Sequence, residues 1–549
     1  MVFMDNNTID ALDFQYVLDK IETLTPYGSM YKGRMKAFNI GQVEDLKKSL
    51  NILESYVPYV RDLDIRREFN NILGHIKDLR NSMKRAMEGF ILTEVELFEI
   101  KSLLFLIRDI DNLFNKYNII RFKETDIRPI KSLEDLLDPE GTGIASFYIY
   151  DEYSEKLKDI RQKKRQTDKE IKLVYKEMKT YISTELNLNL RPDNTLVISK
   201  DNKDLIHKIE SGTYLTYVSE TYLNIKFGIK PTESLTRLER QLVLLKDQEE
   251  REETNLREKL SKEIGKRRRE LYLNMANIGK LDLILAKAKY AIDINGVKPN
   301  IINHHIIKIE EGIHPKVSDF LKKKNLNFTP ISVNLKEGVA CITGANMGGK
   351  TISLKLIGLL SAMAQYGLFV PAKRMDLGLN EYIKTSIGDM QSTDSGLSTF
   401  GGEIKVVEEA IKRANENGLI LIDELARGTN PEEGYAISKA IVTYLMNKNS
   451  ITLLTTHYDN VADMENIQHL QVVGLSEIDF NTLKANINPK DGMELINKYM
   501  DYRLKEVSKN KIIPKDAINI AKLMGLNEEI IQIAENIISI DNWELTVDN

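Results

Sequence analysis

The chain has 549 residues, of which 42% are hydrophobic and 29% are charged, and its formal net charge is −4. This length predicts about three domains, and the composition excludes a largely disordered chain. The charge balance excludes a protein that coats nucleic acid through a general basic excess, so any contact with DNA has to be local. With a single cysteine, Cys341, and no apolar run of about 18 residues, the sequence predicts a cytoplasmic protein without disulfides or membrane spans.

Helical periodicity dominates the first half of the chain, beginning with apolar residues at helical spacing from about residue 8 to 135. Dense alternating charge over residues 151–185 and 232–272 is typical of long helices with solvated or coiled-coil-like faces. Three intervening segments have the β-branched and aromatic residues of short strands, at 194–199, 214–219 and 222–227. We therefore expect a long helix, a small strand-bearing tip and a second long helix running back.

After residue 300 the pattern changes to apolar strands that alternate with helices and glycine-containing loops. This alternation predicts an α/β domain with a largely parallel sheet. Two short helices, over residues 513–525 and 528–538, are predicted near the end. Cys341 lies in an apolar strand pattern and is expected to pack in the core.

A glycine-rich segment follows the apolar strand 339–343 and precedes the predicted helix 351–366. Its residues are Gly344, Ala345, Asn346, Met347, Gly348, Gly349, Lys350 and Thr351. Strand, glycine loop and helix together are the context of a P-loop, in which backbone N–H groups hold phosphates. Lys350 is then the cation for the β- and γ-phosphates, and the hydroxyl of Thr351 is a magnesium ligand. The alternative is a glycine-rich turn that binds no nucleotide.

Two carboxylates, Asp423 and Glu424, directly follow the apolar strand 419–422. Ligands of open α/β sheets bind at the carboxyl ends of the strands. We expect Asp423 to hold Mg²⁺, directly or through water, and Glu424 to orient or deprotonate the attacking water. A helix cap is the alternative role for this acidic pair.

A third apolar strand, 451–456, ends at His457, which we interpret as a sensor of the γ-phosphate rather than a structural histidine. The segment 386–402 is rich in hydroxyls and glycines and precedes a predicted helix over 403–416. It is either a turn with a helix cap or a surface that meets a nucleotide.

Several of these segments, taken in order along the chain, resemble the MutS family of ATPases. They are Gly312-Ile-His-Pro315, Ile342-Thr-Gly-Ala-Asn-Met-Gly-Gly-Lys350-Thr, Tyr366-Gly-Leu-Phe-Val-Pro371-Ala, Leu397-Ser-Thr-Phe400, Ile422-Asp-Glu-Leu-Ala-Arg-Gly428-Thr and Thr455-Thr-His-Tyr458. The resemblance covers residues 300–540 by motif and the preceding half by architecture.

The resemblance implies a homodimer with composite sites for ATP and Mg²⁺. Ser398 and Thr399 of one subunit would act on the nucleotide bound by the other, with Ser398 reaching its γ-phosphate. Phe328 would stack on adenine. The helical half would form a core and lever, and the strand-bearing excursion would be a clamp that closes on DNA.

The predicted fold class is accordingly multidomain: an all-helical core and lever with a small strand-containing clamp, followed by a P-loop ATPase domain of ABC type. The expected domains are listed here: 1–160, helical core and lever; 161–245, clamp-like insertion; 246–300, lever helix returning to the core; 301–500, P-loop ATPase domain; 501–549, C-terminal helices completing the ATPase and dimer region.

The chain starts directly in the helical core, where mismatch-reading relatives carry a separate α/β domain with a Phe-x-Glu wedge. We therefore expect a truncated branch that does not read mismatches directly. Over residues 151–270 the charge is 27 Lys and Arg against 23 Asp and Glu, a net of +4, which is weak for a DNA clamp. Basic clusters at 161–165 and 266–269 are either DNA contacts or ordinary helix-surface charge.

Two functions remain open, and Glu424 argues against a third, a structural relic that binds nucleotide without hydrolysing it. The first is an ATP-hydrolysing DNA clamp in repair or recombination. The second is an ATP-dependent remodelling factor for an adenosylcobalamin-dependent amino-acid aminomutase, because truncated MutS-like proteins are associated with such enzymes. No membrane partner is expected for either function.

Overall fold

The computed structural model describes residues 2–344, 349–388, 399–426, 429–456, 458–474, 501–507, 518, 521 and 526–547. The chain divides into two compact units. The first contains residues 1–74, 117–125 and 278–549, and the second contains residues 75–116 and 126–277. No helix among the described residues is both long enough and apolar enough to cross a membrane. The predicted domain boundaries stay predictions.

The first unit opens with five α-helices: α1 (Asn6–Ala11), α2 (Phe14–Lys20), α3 (Pro26–Gly33), α4 (Val43–Arg61) and α5 (Leu63–Gly74). The second unit contains α6 (Arg80–Met87), α7 (Glu94–Lys116), α8 (Lys131–Leu137), α9 (Glu155–Glu185), α10 (Lys203–Glu210) and α11 (Glu233–Lys266). Helix α12 (Arg268–Asp293) leads the chain back into the first unit.

The predicted pair of long charged helices is confirmed as α9, with 31 residues, and α11, with 34. Each helix starts at a hydroxyl N-cap: Ser154 accepts the N–H of Leu157, and Thr232 accepts the N–H of Leu235. Between them lies an antiparallel sheet, formed by β1 (Thr195–Ser199), β2 (Leu215–Glu220) and β3 (Asn224–Ile229) in the order β1-β3-β2. The three strands were therefore predicted correctly.

The basic cluster at 161–165 is partly neutralised within the second unit. Arg161 pairs with Asp151 at 2.5 Å, with Glu249 at 3.0 Å and with Glu253 at 2.6 Å, and Lys164 also pairs with Glu249. These contacts tie α9 to α11. Arg161 therefore stabilises the helix pair and is a weaker candidate for DNA contact than its place in a basic run suggested.

The remaining elements of the first unit continue the chain order. The helices are α13 (Pro315–Lys323), α14 (Gly349–Gln365), α15 (Thr399–Lys412), α16 (Pro431–Leu445), α17 (Asp459–Ala462) and α18 (Glu528–Val547). The strands are β4 (Asn300–Ile302), β5 (Ile306–Gly312), β6 (Ile331–Lys336), β7 (Gly338–Thr343), β8 (Arg374–Gly378), β9 (Ile383–Ser386), β10 (Leu419–Ile422), β11 (Ile451–Thr455), β12 (Gln468–Gly474) and β13 (Asp501–Glu506).

These strands form two sheets, a four-stranded one in the order β4-β8-β5-β6 and a six-stranded one in the order β13-β12-β7-β11-β10-β9. In the larger sheet every neighbouring pair is parallel except β12 and β13. Strands β7, β10 and β11 are buried along their whole length, which explains their uninterrupted apolar sequences. The α/β region with a largely parallel sheet is thus confirmed, and Cys341 is buried in it as expected.

Candidate nucleotide site

Three strand ends meet at one edge of the larger sheet. Strand β11 lies between β7 and β10, with Leu454 paired to Cys341 on one side and to Ile422 on the other. Because the strands are parallel and in register, the residues that follow them emerge side by side. The glycine loop, the acidic pair and the end of β11 are therefore neighbours.

The described ends of the glycine loop show how closely the backbone is packed. Gly344 has a φ of +122°, and a Cβ there would lie 3.2 Å from Val472 on β12. A side chain would be strained at this position, which accounts for glycine. Lys350, in the first turn of α14, is 3% exposed, and its Nζ donates to the carbonyl of Gly344 at 2.8 Å. Its ammonium group is thus held against the start of the loop.

A chain of hydrogen bonds joins the helix to both neighbouring strands. The hydroxyl of Thr351 donates to Oδ2 of Asp423 at 2.7 Å. The hydroxyl of Thr455 donates to Oδ1 of the same carboxylate at 2.7 Å and accepts the backbone N–H of Glu424 at 2.8 Å. The carboxylate of Asp423 is therefore held by two hydroxyls, one from α14 and one from β11.

The turn after β10 has an unusual backbone conformation. Glu424 has a φ of +50° and Ala426 a φ of +63°, both in the left-handed region that residues with a side chain rarely adopt. The N–H of Ala426 donates to Oε1 of Glu403 on α15 at 2.9 Å. Burial raises the pKa of Glu403, although this hydrogen bond opposes the shift.

A second polar chain reaches the start of the loop from β12. Nε2 of His469 lies 2.8 Å from the hydroxyl of Thr343, and its Nδ1 lies 3.0 Å from Oδ1 of Asp463. Thr343 is 1% exposed and His469 is 6% exposed. The pair fixes β7 to β12 immediately before Gly344.

Sequence reasoning placed Lys350, Thr351, Asp423 and Glu424 together, and the described structure has them at the same sheet edge. It assigned no role to Thr455, Glu403 or His469. Thr455 belongs to a strand that was predicted, and a hydroxyl at the end of that strand was the available signal. The contacts of Glu403 and His469 join distant parts of the chain and have no local sequence pattern.

Fewer contacts are described for the other predicted site residues. Phe328 is partly buried in the segment between α13 and β6, and no stacking contact with it is seen among the described residues. Thr399 begins α15, but its side chain is outside the description. The predicted positions 345–348, Ser398 and His457 lie outside the described residues, as does the predicted helix 513–525 except for its residues 518 and 521.

The oxygen atoms of Thr351 and Asp423 fit a magnesium ion in their chemistry. Mg²⁺ prefers oxygen ligands and is usually bound by one or two protein groups together with substrate phosphates and water. Within the described part of the chain, no group of three or more His, Cys, Asp or Glu side chains could hold a metal ion. An ion at this edge would therefore depend on the hydroxyl, the carboxylate and the phosphates of a bound nucleotide.

Comparison with known proteins bears on the same region. The described part of residues 340–540 is an α/β region, and a sequence profile of MutS domain V matches those residues. Three relatives bear the name Endonuclease MutS2. They come from Caldanaerobacter subterraneus subsp. tengcongensis (27% identical, 98% of this chain, 64% of the relative), Shouchella clausii (30%, 84% and 57%) and Carboxydothermus hydrogenoformans (29%, 99% and 66%). The chain belongs to the MutS family. It spans about 57–66% of the length of these relatives.

Proposed function

We propose that the chain binds ATP and hydrolyses it to ADP and phosphate. The observation that supports this most is the carboxylate of Asp423 held by the hydroxyls of Thr351 and Thr455, next to the buried ammonium of Lys350. These groups belong to three elements that meet at the carboxyl edge of a parallel sheet, where such sheets bind ligands.

Each side chain has a role in this proposal. Lys350 places a positive charge against the phosphates, and the N-terminus of α14 adds backbone N–H groups. Thr351 and Asp423 hold Mg²⁺, which supplies charge neutralisation for the β- and γ-phosphates when bound. Glu424 orients the attacking water and accepts its proton. Four further residues complete the proposed site. His457 is the sensor of the γ-phosphate, Ser398 and Thr399 act in trans, and Phe328 stacks on adenine.

The cycle of ATP binding and hydrolysis would drive a homodimeric DNA clamp in repair or recombination. Support comes from membership of the MutS family and from the long helix pair that carries a small sheet in the second unit. The clamp is proposed for branched or recombining DNA rather than for mismatches. None of the relatives named above supports the aminomutase alternative. The two functions differ in whether DNA or an aminomutase stimulates ATP hydrolysis.

The first experiment compares wild type with Lys350→Ala in binding of a fluorescent ATP analogue and in phosphate release. Lys355→Ala is the matched control. Lys355 lies on the same helix, and its Nζ forms a long ion pair with Oδ2 of Asp13 at 3.8 Å. We expect Lys350→Ala to lose binding or turnover and the control to keep both. Equal activity in the two variants would refute the assignment of the phosphate site.

The second experiment measures the ATPase rate with homoduplex, mismatched and branched DNA, and separately with an aminomutase. Gel shifts on the same DNAs at several salt concentrations accompany it, because phosphate contacts weaken steeply with salt. Stimulation and retardation by branched DNA are expected. No retardation on any DNA at low salt would exclude the clamp, and stimulation by the aminomutase alone would favour the alternative.

A further inference from the structure

The turn that carries Glu424 is held from outside by three acceptors. The N–H of Asp423 donates to the carbonyl of Ser386 at 2.8 Å, that of Glu424 to the hydroxyl of Thr455 at 2.8 Å, and that of Ala426 to Glu403 at 2.9 Å. Ser386 and Thr455 are the last residues of β9 and β11, so both belong to the sheet itself. Glu403 is the one acceptor of the three that comes from a helix.

The backbone of this turn needs such support. A residue other than glycine in a sparsely populated backbone conformation is strained, and it persists only where its surroundings impose it. Glu424 and Ala426 are both in the left-handed region, with Leu425 between them. The carbonyl of Leu425 accepts from the hydroxyl of Ser438 at 3.3 Å, which anchors the middle of the turn to α16.

Glu403 is well placed to hold Ala426, the last of the three residues whose N–H groups are bound. It lies one turn into α15, and its side chain is partly buried, so the interaction with Ala426 is little screened by water. Ala426 is itself fully buried and packs in the core with Ile422, Leu425 and Val442. A carboxylate oxygen that holds a buried N–H at this distance constrains both partners.

We infer that Glu403 is a positioning residue that sets the conformation of the Glu424 turn and thereby makes turnover depend on the placement of α15. The inference rests on the proposed ATPase function. Glu403 contacts neither nucleotide nor water in this role; it acts through the N–H of Ala426. A displacement of the first turns of α15 would move the catalytic carboxylate, without a change in the groups that hold the phosphates.

Three substitutions at Glu403 separate its possible contributions. Glu403→Ala removes the acceptor, Glu403→Asp keeps the charge but shortens the side chain by one methylene, and Glu403→Gln keeps both length and an acceptor oxygen. Because a displacement of about 1 Å at a catalytic group can cost about 100-fold in rate, we expect kcat to fall about 10- to 100-fold in the first two variants. KM for ATP should stay within about twofold, and Glu403→Gln should restore most of kcat.

Glu408→Ala is the matched control, because Glu408 lies on the same helix in an exposed ion pair with Lys412. It should leave both kinetic parameters unchanged. Unchanged kcat in Glu403→Ala and Glu403→Asp would overturn the inference while leaving the ATPase function intact. Loss of folded structure in Glu403→Gln, measured by circular dichroism, would assign Glu403 a structural role only and would also overturn it. A wild-type protein without turnover would instead refute the proposed function.

Discussion

Thr455 donates its hydroxyl hydrogen to Oδ1 of Asp423 over 2.7 Å. The hydroxyl oxygen of Thr455 also accepts the N–H of Glu424, so one side chain on β11 holds both acidic residues that follow β10. This is possible because β11 lies between the strand of the glycine loop and the strand of the acidic pair. Replacement of this hydroxyl should therefore affect metal binding and turnover together.

Thr455→Val keeps the shape of the side chain and removes the hydroxyl. The N–H of Glu424 loses its acceptor, which should destabilise the fold by about 1–3 kcal/mol, and the orientation of Asp423 should loosen. We expect a higher Mg²⁺ requirement and a lower kcat, measured by phosphate release over a magnesium titration. Thr452→Val on the same strand is the control, because the hydroxyl of Thr452 is buried without a partner among the described residues. If both variants behave alike, the proposed role of Thr455 is wrong.

Glu424→Gln tests the assignment of the base. The amide cannot accept a proton from water, and general-base catalysis typically contributes about 100- to 10,000-fold in rate. We expect kcat to fall by about that factor while a fluorescent ATP analogue binds as in wild type. Glu432→Gln, in the exposed first turn of α16, should leave turnover unchanged. Unaltered turnover in Glu424→Gln would move the role of base to another residue.

Arg161→Met tests the ion pairs between α9 and α11. Removal of the guanidinium leaves Asp151, Glu249 and Glu253 without their shared partner, and hydrogen bonds to charged groups contribute about 1.5–3 kcal/mol. Urea unfolding of the protein should report a loss of about this size in the transition of the second unit. Arg251→Met removes an exposed ion pair with Asp247 and should cost no more than about 0.5 kcal/mol. Equal losses would contradict a special role for Arg161.

The same cluster predicts a loss of stability in acid. Burial opposes ionisation of Glu249, but hydrogen bonds from Lys164 and Arg161 outweigh it and hold the pKa of this carboxyl below its usual 4.5. A carboxyl whose pKa is lower in the folded state stabilises the fold above its unfolded pKa and loses this contribution as the pH falls through the folded pKa. In Arg161→Met, the difference in stability from wild type should therefore shrink below about pH 4.5. A difference that stays constant down to pH 3 would contradict the account.

His314 predicts a second pH effect, in the first unit. It is fully buried at the N-cap of α13, and burial lowers its pKa to about 4, against the opposing charge of Asp13. In the unfolded chain the pKa of a histidine is about 6.5. The contribution of neutral His314 to stability is therefore complete above that pH. It is lost as the pH falls from 6.5 towards 4, by about 3 kcal/mol in total. His314→Asn keeps an N-cap residue and removes the titration. The midpoint temperature of thermal unfolding should fall less steeply from pH 7.5 to 4.5 in this variant than in wild type. Equal slopes in the two proteins would refute the prediction.

The sequence predicts more of the residues in the candidate site than of the contacts that hold them in place. Gly344, Lys350, Thr351 and Asp423 were predicted because each belongs to a local pattern of strand, loop and helix. The neighbours of β7 could not be predicted, because the order β12-β7-β11-β10 depends on how separate segments pack. The contacts of Thr455 and His469 follow from that order, and the contact of Glu403 depends on where α15 packs, so no spacing in the sequence indicated any of the three.

In the second unit, periodicity predicted the long helices and the three strands, since both patterns are local. It did not predict that Arg161, in a run of basic residues, would face three carboxylates. Charge along a helix is visible in the sequence, but the partners of each charge depend on which faces of α9 and α11 meet.

The length of α9 has a mechanical consequence. Its 31 residues span about 46 Å at 1.5 Å per residue, with the ion pairs of Arg161 near its first turns and the three-stranded sheet beyond its last. A rigid rod of this length converts a rotation of about 6° at one end into a displacement of about 5 Å at the other. That distance is about the spacing between neighbouring β-strands, so a small rotation at the first turns of α9 is enough to move the sheet by the width of one strand.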